Sequence, residues 1–258
     1  MPETTVTLAA PTVVIAAYRF VEIDDGAALR ERLAAAAQAG GLKGTVLIAP
    51  EGINLSLAGA LPAIAAWLRG VQADPRFASL ELKLHGSAGI PFKQLKVKLK
   101  AEIIRMNRPA VRPQTGRAPA VDAATLAGWL TAGRCDAGRE VVMLDTRNGF
   151  EVDAGAFEHA TDWRLGKFSD FPAALQAHRA ELQGKTVVGY CTGGIRCEKA
   201  ALWMAEAGVE NVLQLDGGIL RYFEQAPGAP HWRGDCFVFD ERTGLDAALA
   251  ESATAAPA

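Results

Sequence analysis

Cys191-Thr192-Gly193-Gly194-Ile195-Arg196-Cys197 carries the residue types of a nucleophilic site: a thiol, two glycines, a guanidinium and a second thiol. The stretch follows the apolar run Lys185 to Tyr190 and opens a helical pattern over Arg196 to Glu206, so the loop joins a strand to a helix. Backbone N–H groups of such a turn point at whatever sits above the loop. Together with Arg196 they favour a thiolate on Cys191, the form in which cysteine attacks. Four residues separate Cys191 from Arg196, one fewer than in a cysteine-phosphatase cradle. So short a ring suits sulfur or oxygen chemistry on the cysteine better than a phosphoryl group.

The neighbouring candidates each have a chemical and a structural reading. Cys197 is one helical turn beyond Cys191; it resolves an oxidised Cys191 by disulfide exchange, or it is a small packing residue. Asp145-Thr146-Arg147 ends an earlier apolar run, so Arg147 would bring a second cation to the loop while Asp145 fixes the local backbone. Asp216-Gly217-Gly218 would form a third wall of the same crevice. Cys135 and Cys236 have no metal-ligand spacing to each other or to a histidine pair and read as structural. The four histidines form no Cys–His dyad in sequence; His85 and His231 read as surface or turn groups, and no metal site is expected.

The elements that must position these groups alternate in the second half of the chain. Asp122 caps a helix to Thr131, Glu140 to Leu144 is a strand, Phe171 to Leu182 a helix and Lys185 to Tyr190 a strand. A helix from Arg196 to Glu206, closed by Gly208, leads to a strand over Asn211 to Leu215. Strands separated by helices, with polar residues at strand ends, argue an open parallel α/β sheet. The tail after Leu245 is rich in alanine and reads as loose.

The first half reads strand, helix, strand, strand, helix, strand, with one strand more. Thr12 to Phe20, Thr45 to Ala49 and Ile53 to Ala58 are the strands, Leu80-Leu82-Leu84 alternates with Glu81 and Lys83, and Lys93 to Arg105 alternates basic with apolar. Asp24 caps a helix ended by Gly40-Gly41, and Leu61 to Val71 is the second helix. The order predicts a ferredoxin-like α+β sandwich with one face of its sheet under helices and the other open. Proline-rich residues 109 to 120 read as a linker. The expected division is 1–108, linker 109–120, a catalytic domain 121–233 and an extension 234–258.

Half of the 258 residues are hydrophobic and the net charge is −2, which excludes wholesale disorder. No apolar run reaches the ~20 residues of a membrane helix. The N-terminus shows no basic segment ahead of an apolar one, and four cysteines are too few for a disulfide scaffold, so a reducing, cytoplasmic setting is expected. No dinucleotide or P-loop glycine pattern is present, and no cofactor is evident. Charge is uneven: Lys83 to Arg117 holds nine basic residues and one acid, Glu102. Such a stretch is a footprint for a phosphate backbone, with Lys93, Lys96, Lys98, Lys100, Arg105 and Arg108 as candidate contacts, or else a solvated edge strand.

Leu144-Asp145-Thr146-Arg147, the strand into Cys191 to Arg196, and Leu215 to Ile219 resemble the rhodanese family over about residues 120 to 232. With Glu51-Gly52-Ile53-Asn54, the stretch Pro91 to Ile103, Cys197, and Gly234 to Arg242, the chain resembles the rhodanese-related tRNA uridine hydroxylases. The resemblance implies oxygen-dependent 5-hydroxylation of the wobble uridine, position 34 of tRNA. It implies Cys191 as the essential cysteine, the anticodon region as partner and O2 as co-substrate. Thiolate addition to the uridine, or an oxidised or persulfidated Cys191, would be the reactive step. A rhodanese-type sulfurtransferase with Cys191 as persulfide carrier is the alternative, and a non-catalytic tRNA-binding module is a third reading.

Overall fold

The first unit of the computed structural model, which describes residues 11–252, ends at Ile103. Readings of the N-terminal ten residues and of residues 253–258 lie outside the described residues. The unit contains β1 (Thr12–Phe20), α1 (Gly26–Ala39), β2 (Lys43–Ala49), β3 (Gly52–Gly59), α2 (Leu61–Gln72), β4 (Lys83–Ser87) and β5 (Leu95–Leu99). The sheet order is β4-β1-β3-β2-β5. The first four strands pair antiparallel in the ferredoxin-like arrangement, and β5 adds parallel to the outer edge of β2, with Val46 opposite Val97. Period-two alternation places Ile15, Val46, Ile48, Ile53, Leu55 and Leu57 under Leu29 and Leu33 of α1 and Ile64 and Trp67 of α2.

Three expectations for this unit change. Asp24 does not cap α1; Asp25 occupies the N-cap position without a side-chain cap, because its carboxylate is bound by Arg76. The leucine alternation near residue 82 does not point its lysine to water. Lys83 and His85 are buried, Lys83 with its ammonium 5.5 Å from the Tyr18 ring centroid, while Leu84 on the opposite face packs on the apolar core. The sheet's second face is therefore covered at β4, partly open across the middle strands and most exposed at β5, where Lys96 and Lys98 reach solvent.

The second unit begins at Ile104. It contains β6 (Ala120–Val121), α3 (Ala123–Ala132), β7 (Val141–Asp145), α4 (Gly149–Ala154), β8 (Gly155–Phe157), β9 (Thr161–Asp162), α5 (Phe171–His178) and β10 (Thr186–Tyr190). It continues with α6 (Ile195–Glu206), β11 (Val212–Leu215), α7 (Gly218–Gln225), β12 (Trp232–Gly234), β13 (Cys236–Phe237) and β14 (Gly244–Leu245). Its parallel sheet runs β6-β11-β10-β7-β9. Asp122 caps α3 as the sequence predicts, accepting from the Thr125 N–H at 2.9 Å. Every residue of the central strand β10 is buried, as a parallel strand covered on both faces requires. Tyr190 and Val188 face a core with Leu126, Phe157 and Tyr222; Val187 faces one with Leu144, Phe171 and Met204. Because β7, β10 and β11 are adjacent and parallel, the segments after Asp145, Tyr190 and Leu215 leave the same edge of the sheet.

The proline-rich segment is packed rather than free. Met106, Val111 and Pro113 are buried, the first two in the second unit's core, and Lys199 donates to the Ile104 carbonyl at 3.0 Å. The units thus part between residues 103 and 104, ahead of the expected linker. The described part of the tail is also tied down: Ala247 and Leu249 pack on the second unit's core, and the Ser252 N–H donates to the Gly244 carbonyl at 3.1 Å.

Candidate active site

Cys191 follows the last residue of β10 and is wholly buried. Its Sγ accepts the Gly194 N–H at 3.1 Å. Gly194, at φ 95°, turns the loop into α6. The other side of the loop is held by the first turn of α7: Ile219 N–H donates to the Cys191 carbonyl at 3.0 Å and Leu220 N–H to the Thr192 carbonyl at 3.1 Å. Carbonyls bound from outside leave the loop's N–H groups available to the sulfur. Gly218, at φ 70°, makes this approach possible. A Cβ there would stand 2.4 Å from the Cys191 oxygen, 2.7 Å from the Gly194 nitrogen and 2.9 Å from the Thr192 oxygen. The Asp216-Gly217-Gly218 turn thus serves the site through backbone, while the Asp216 carboxylate pairs with Arg221 at 2.9 Å.

Charge is arranged around the sulfur by α6. Arg196 is buried, and its guanidinium grips Glu151 of α4 with both arms at 2.6 and 2.7 Å. Burial pushes the Cys191 thiol up. The Cys197 S–H, the Arg196 charge and the N–H groups of Arg196 and Gly194 outweigh it and hold the thiol well below its ordinary range. Cys197 moves the other way: burial and the neighbouring thiolate keep it protonated, with the Thr146 hydroxyl 3.6 Å from its sulfur. The surroundings thus favour the thiolate on Cys191 and the protonated thiol on Cys197. Both are free thiols.

Arg147 does not act as the expected second cation. It is fully buried, binds Asp145 at 2.6 and 2.9 Å, and donates to the carbonyls of Glu151 and Gly155 at 3.2 and 2.7 Å. Its charge is spent within the core, between the Tyr190 and Trp232 rings. Thr192 places its hydroxyl 3.5 Å from Glu151; Gly193 has open space around it; Ile195 begins α6. Lys93, Lys96, Lys98 and Lys100 are exposed in the first unit, whereas Arg105 and Arg108 belong to the second. Arg105 donates to Asn107 at 2.9 Å, and Arg108 lies 5.2 Å over the Trp203 ring. Among the described residues no group of three or more His, Cys, Asp and Glu is placed to hold a metal ion, and no helix is long and apolar enough to cross a membrane.

Two site residues escape the sequence reading. Glu151 has a local signal, since Asn148 and Glu151 stand in capping-box spacing and the Asn148 N–H donates to Glu151 at 3.0 Å. Its partnership with Arg196 spans 45 positions and has none. Cys236 lies in the Gly234 to Arg242 motif but read as structural; the fold seats its thiol against the Thr192 hydroxyl, and burial pushes it up to about 12.

Comparison with known proteins agrees with both halves. Residues 12–103 match the UPF0176 acylphosphatase-like domain and residues 126–225 the rhodanese-like domain. The chain is 61% identical to the tRNA uridine(34) hydroxylase of Bordetella avium, over 91% of this chain and 97% of that one. It is 62% identical to that of Bordetella pertussis, over 93% and 98%, and 60% identical to that of Variovorax paradoxus, over 95% and 92%. Likeness of this degree along nearly the whole length of both partners places the chain in the tRNA uridine(34) hydroxylase family.

Proposed function

We propose that this protein hydroxylates C5 of the wobble uridine in the anticodon of tRNA, with O2 as co-substrate, no bound cofactor, and Cys191 as the essential residue. The observation that carries the reading is a buried cysteine whose Sγ accepts a loop N–H beside a buried guanidinium, in the rhodanese-like domain of a chain whose relatives bear that activity in their names. The Cys191 sulfur adds to C6, and the C5–C6 π pair moves into an enolate across C5 and the C4 carbonyl. C5 then bonds to O2. An external thiol reductant supplies two electrons, two protons complete the cleavage of the O–O bond, and one oxygen leaves as water. Loss of the C5 proton expels the thiolate, restores the double bond and leaves the hydroxyl.

Cys191 has no exposed surface in this state, so the site must open before a base reaches the sulfur. An unpaired, flipped-out base fits a cleft of this kind. A thiosulfate sulfurtransferase would use the same loop, so the assay must separate the two. Unmodified tRNA is incubated with the protein, with and without O2, and its nucleosides are read by mass spectrometry. We expect 5-hydroxyuridine that requires both O2 and Cys191. The same product from Cys191→Ala sinks the role of the cysteine. Thiocyanate formation from thiosulfate and cyanide, with no 5-hydroxyuridine, replaces the reading with sulfur transfer.

A further inference from the structure

The Gly234 to Arg242 motif has no part in the chemistry above, yet the fold brings it to the rim of the site. The Cys236 thiol meets Thr192 of the loop, and Asp235 N–H donates to the Ala154 carbonyl at the end of α4, 2.9 Å away. The next residue, Phe237, lies edge-to-face with Phe150, ring centroids 5.1 Å apart. Phe239 closes a triangle, 5.2 Å from Phe237 and 6.3 Å from Phe150. Phe150 precedes Glu151, the carboxylate that holds Arg196. At 49% and 65%, Phe150 and Phe239 are the most exposed large hydrophobic side chains among the described residues. Single exposed apolar residues need no explanation, but two exposed aromatic rings packed on a third, half-buried one beside a reactive loop do.

We propose that Phe150, Phe237 and Phe239 form a stacking platform for unpaired RNA bases beside the uridine that enters the Cys191 cleft. This rests on the RNA-modifying reading above and assigns that site a substrate-binding surface. A base drawn out of its stack leaves its neighbours without partners. Aromatic rings replace that stacking whatever the sequence, because every base has a π face. Rings fixed by one another lose little freedom on binding. A protein permanently seated here would block the rim of the reacting cysteine, whereas a substrate strand covers it only until product leaves.

The test measures binding of an anticodon stem-loop RNA to the full-length protein by fluorescence anisotropy. It compares wild type with Phe239→Ala, Phe239→Leu, Phe239→Trp and Phe150→Ala, all checked for folding by circular dichroism. The side chains at 150 and 239 are about half and two-thirds exposed, so these variants fold. We expect Phe239→Ala and Phe150→Ala to weaken binding about tenfold. Phe239→Trp retains the affinity and Phe239→Leu matches alanine, because stacking rather than apolarity is at work. Leucine as good as tryptophan, alanine as good as phenylalanine, or no RNA binding by wild type overturns the platform. So does a wild-type dimer that Phe239→Ala dissolves. If wild type makes no 5-hydroxyuridine but the alanine variants still lose RNA affinity, the hydroxylase reading fails and the platform stands. If wild type hydroxylates and the variants equal it in affinity and KM, the platform fails alone.

Discussion

The decisive asymmetry at the residue scale lies between two cysteines, one at the start of the loop and the other in the first turn of α6. Both are wholly buried, and burial alone raises a thiol. Cys191 escapes because the N–H groups of Gly194 and Arg196, the Arg196 charge and the Cys197 S–H together outweigh burial. Hydrogen bonds to the charged form lower a pKa, so removing one must raise it. Cys197→Ala therefore shifts the Cys191 titration upward toward the ordinary thiol value of about 8.5, while Cys197→Ser, which keeps a donor, shifts it less. Thiolate ultraviolet absorbance, taken as the difference from Cys191→Ala at each pH, reads this without requiring a reagent to reach the buried sulfur. If Cys197→Ala leaves the midpoint unmoved, Cys197 is a packing residue only. In wild type the sign runs the other way. Hydroxylation that needs the thiolate persists as pH falls below the ordinary thiol range and fades only through the depressed pKa of Cys191.

Among the elements, the N-terminus of α7 is as important to the loop as the helix the loop opens. It binds the Cys191 and Thr192 carbonyls, and Gly218 lets the two backbones meet. Gly218→Ala puts a methyl into three backbone atoms at positive φ, costing about 1–2 kcal/mol for the conformation and about 1–3 for the crowding. Gly193→Ala meets nothing within 4 Å and should cost under about 1 kcal/mol. Urea midpoints for the two variants check the contrast, and equal values would mean that α7 does not clamp the loop. The strands ending at Asp145, Tyr190 and Leu215 were legible because each is a short apolar run stopped by polar or glycine residues. The role of Gly218 was legible only as a turn, since the contact it permits is 27 positions away from Cys191. Arg147 misled for a similar reason: sequence shows a guanidinium after a strand but not that Asp145 and two carbonyls absorb it. β4 misled because its buried Lys83 breaks the rule on which alternation depends.

At the scale of the whole molecule, the basic stretch is narrower than its sequence suggests. Lys83 is turned inward and Arg117 binds the buried Glu198 at 2.7 Å. Lys96, Lys98 and Lys100 remain exposed along and just beyond β5, the outer strand of the first unit's sheet. Lysines in such a place have two physical uses, since they repel edge-to-edge pairing and they bind phosphates. Ionic strength separates the two. Phosphate contacts release counterions, so Lys96→Ala with Lys98→Ala should weaken tRNA binding and flatten its log–log salt dependence by about two units, near one per lysine. The loss should be uniform across tRNA sequences and leave kcat at saturating tRNA unchanged, because β5 belongs to the unit that holds neither Cys191 nor Arg196. An unaltered slope in a protein that now aggregates would assign these lysines to edge protection, and the phosphate contacts would then have to be sought on the second unit.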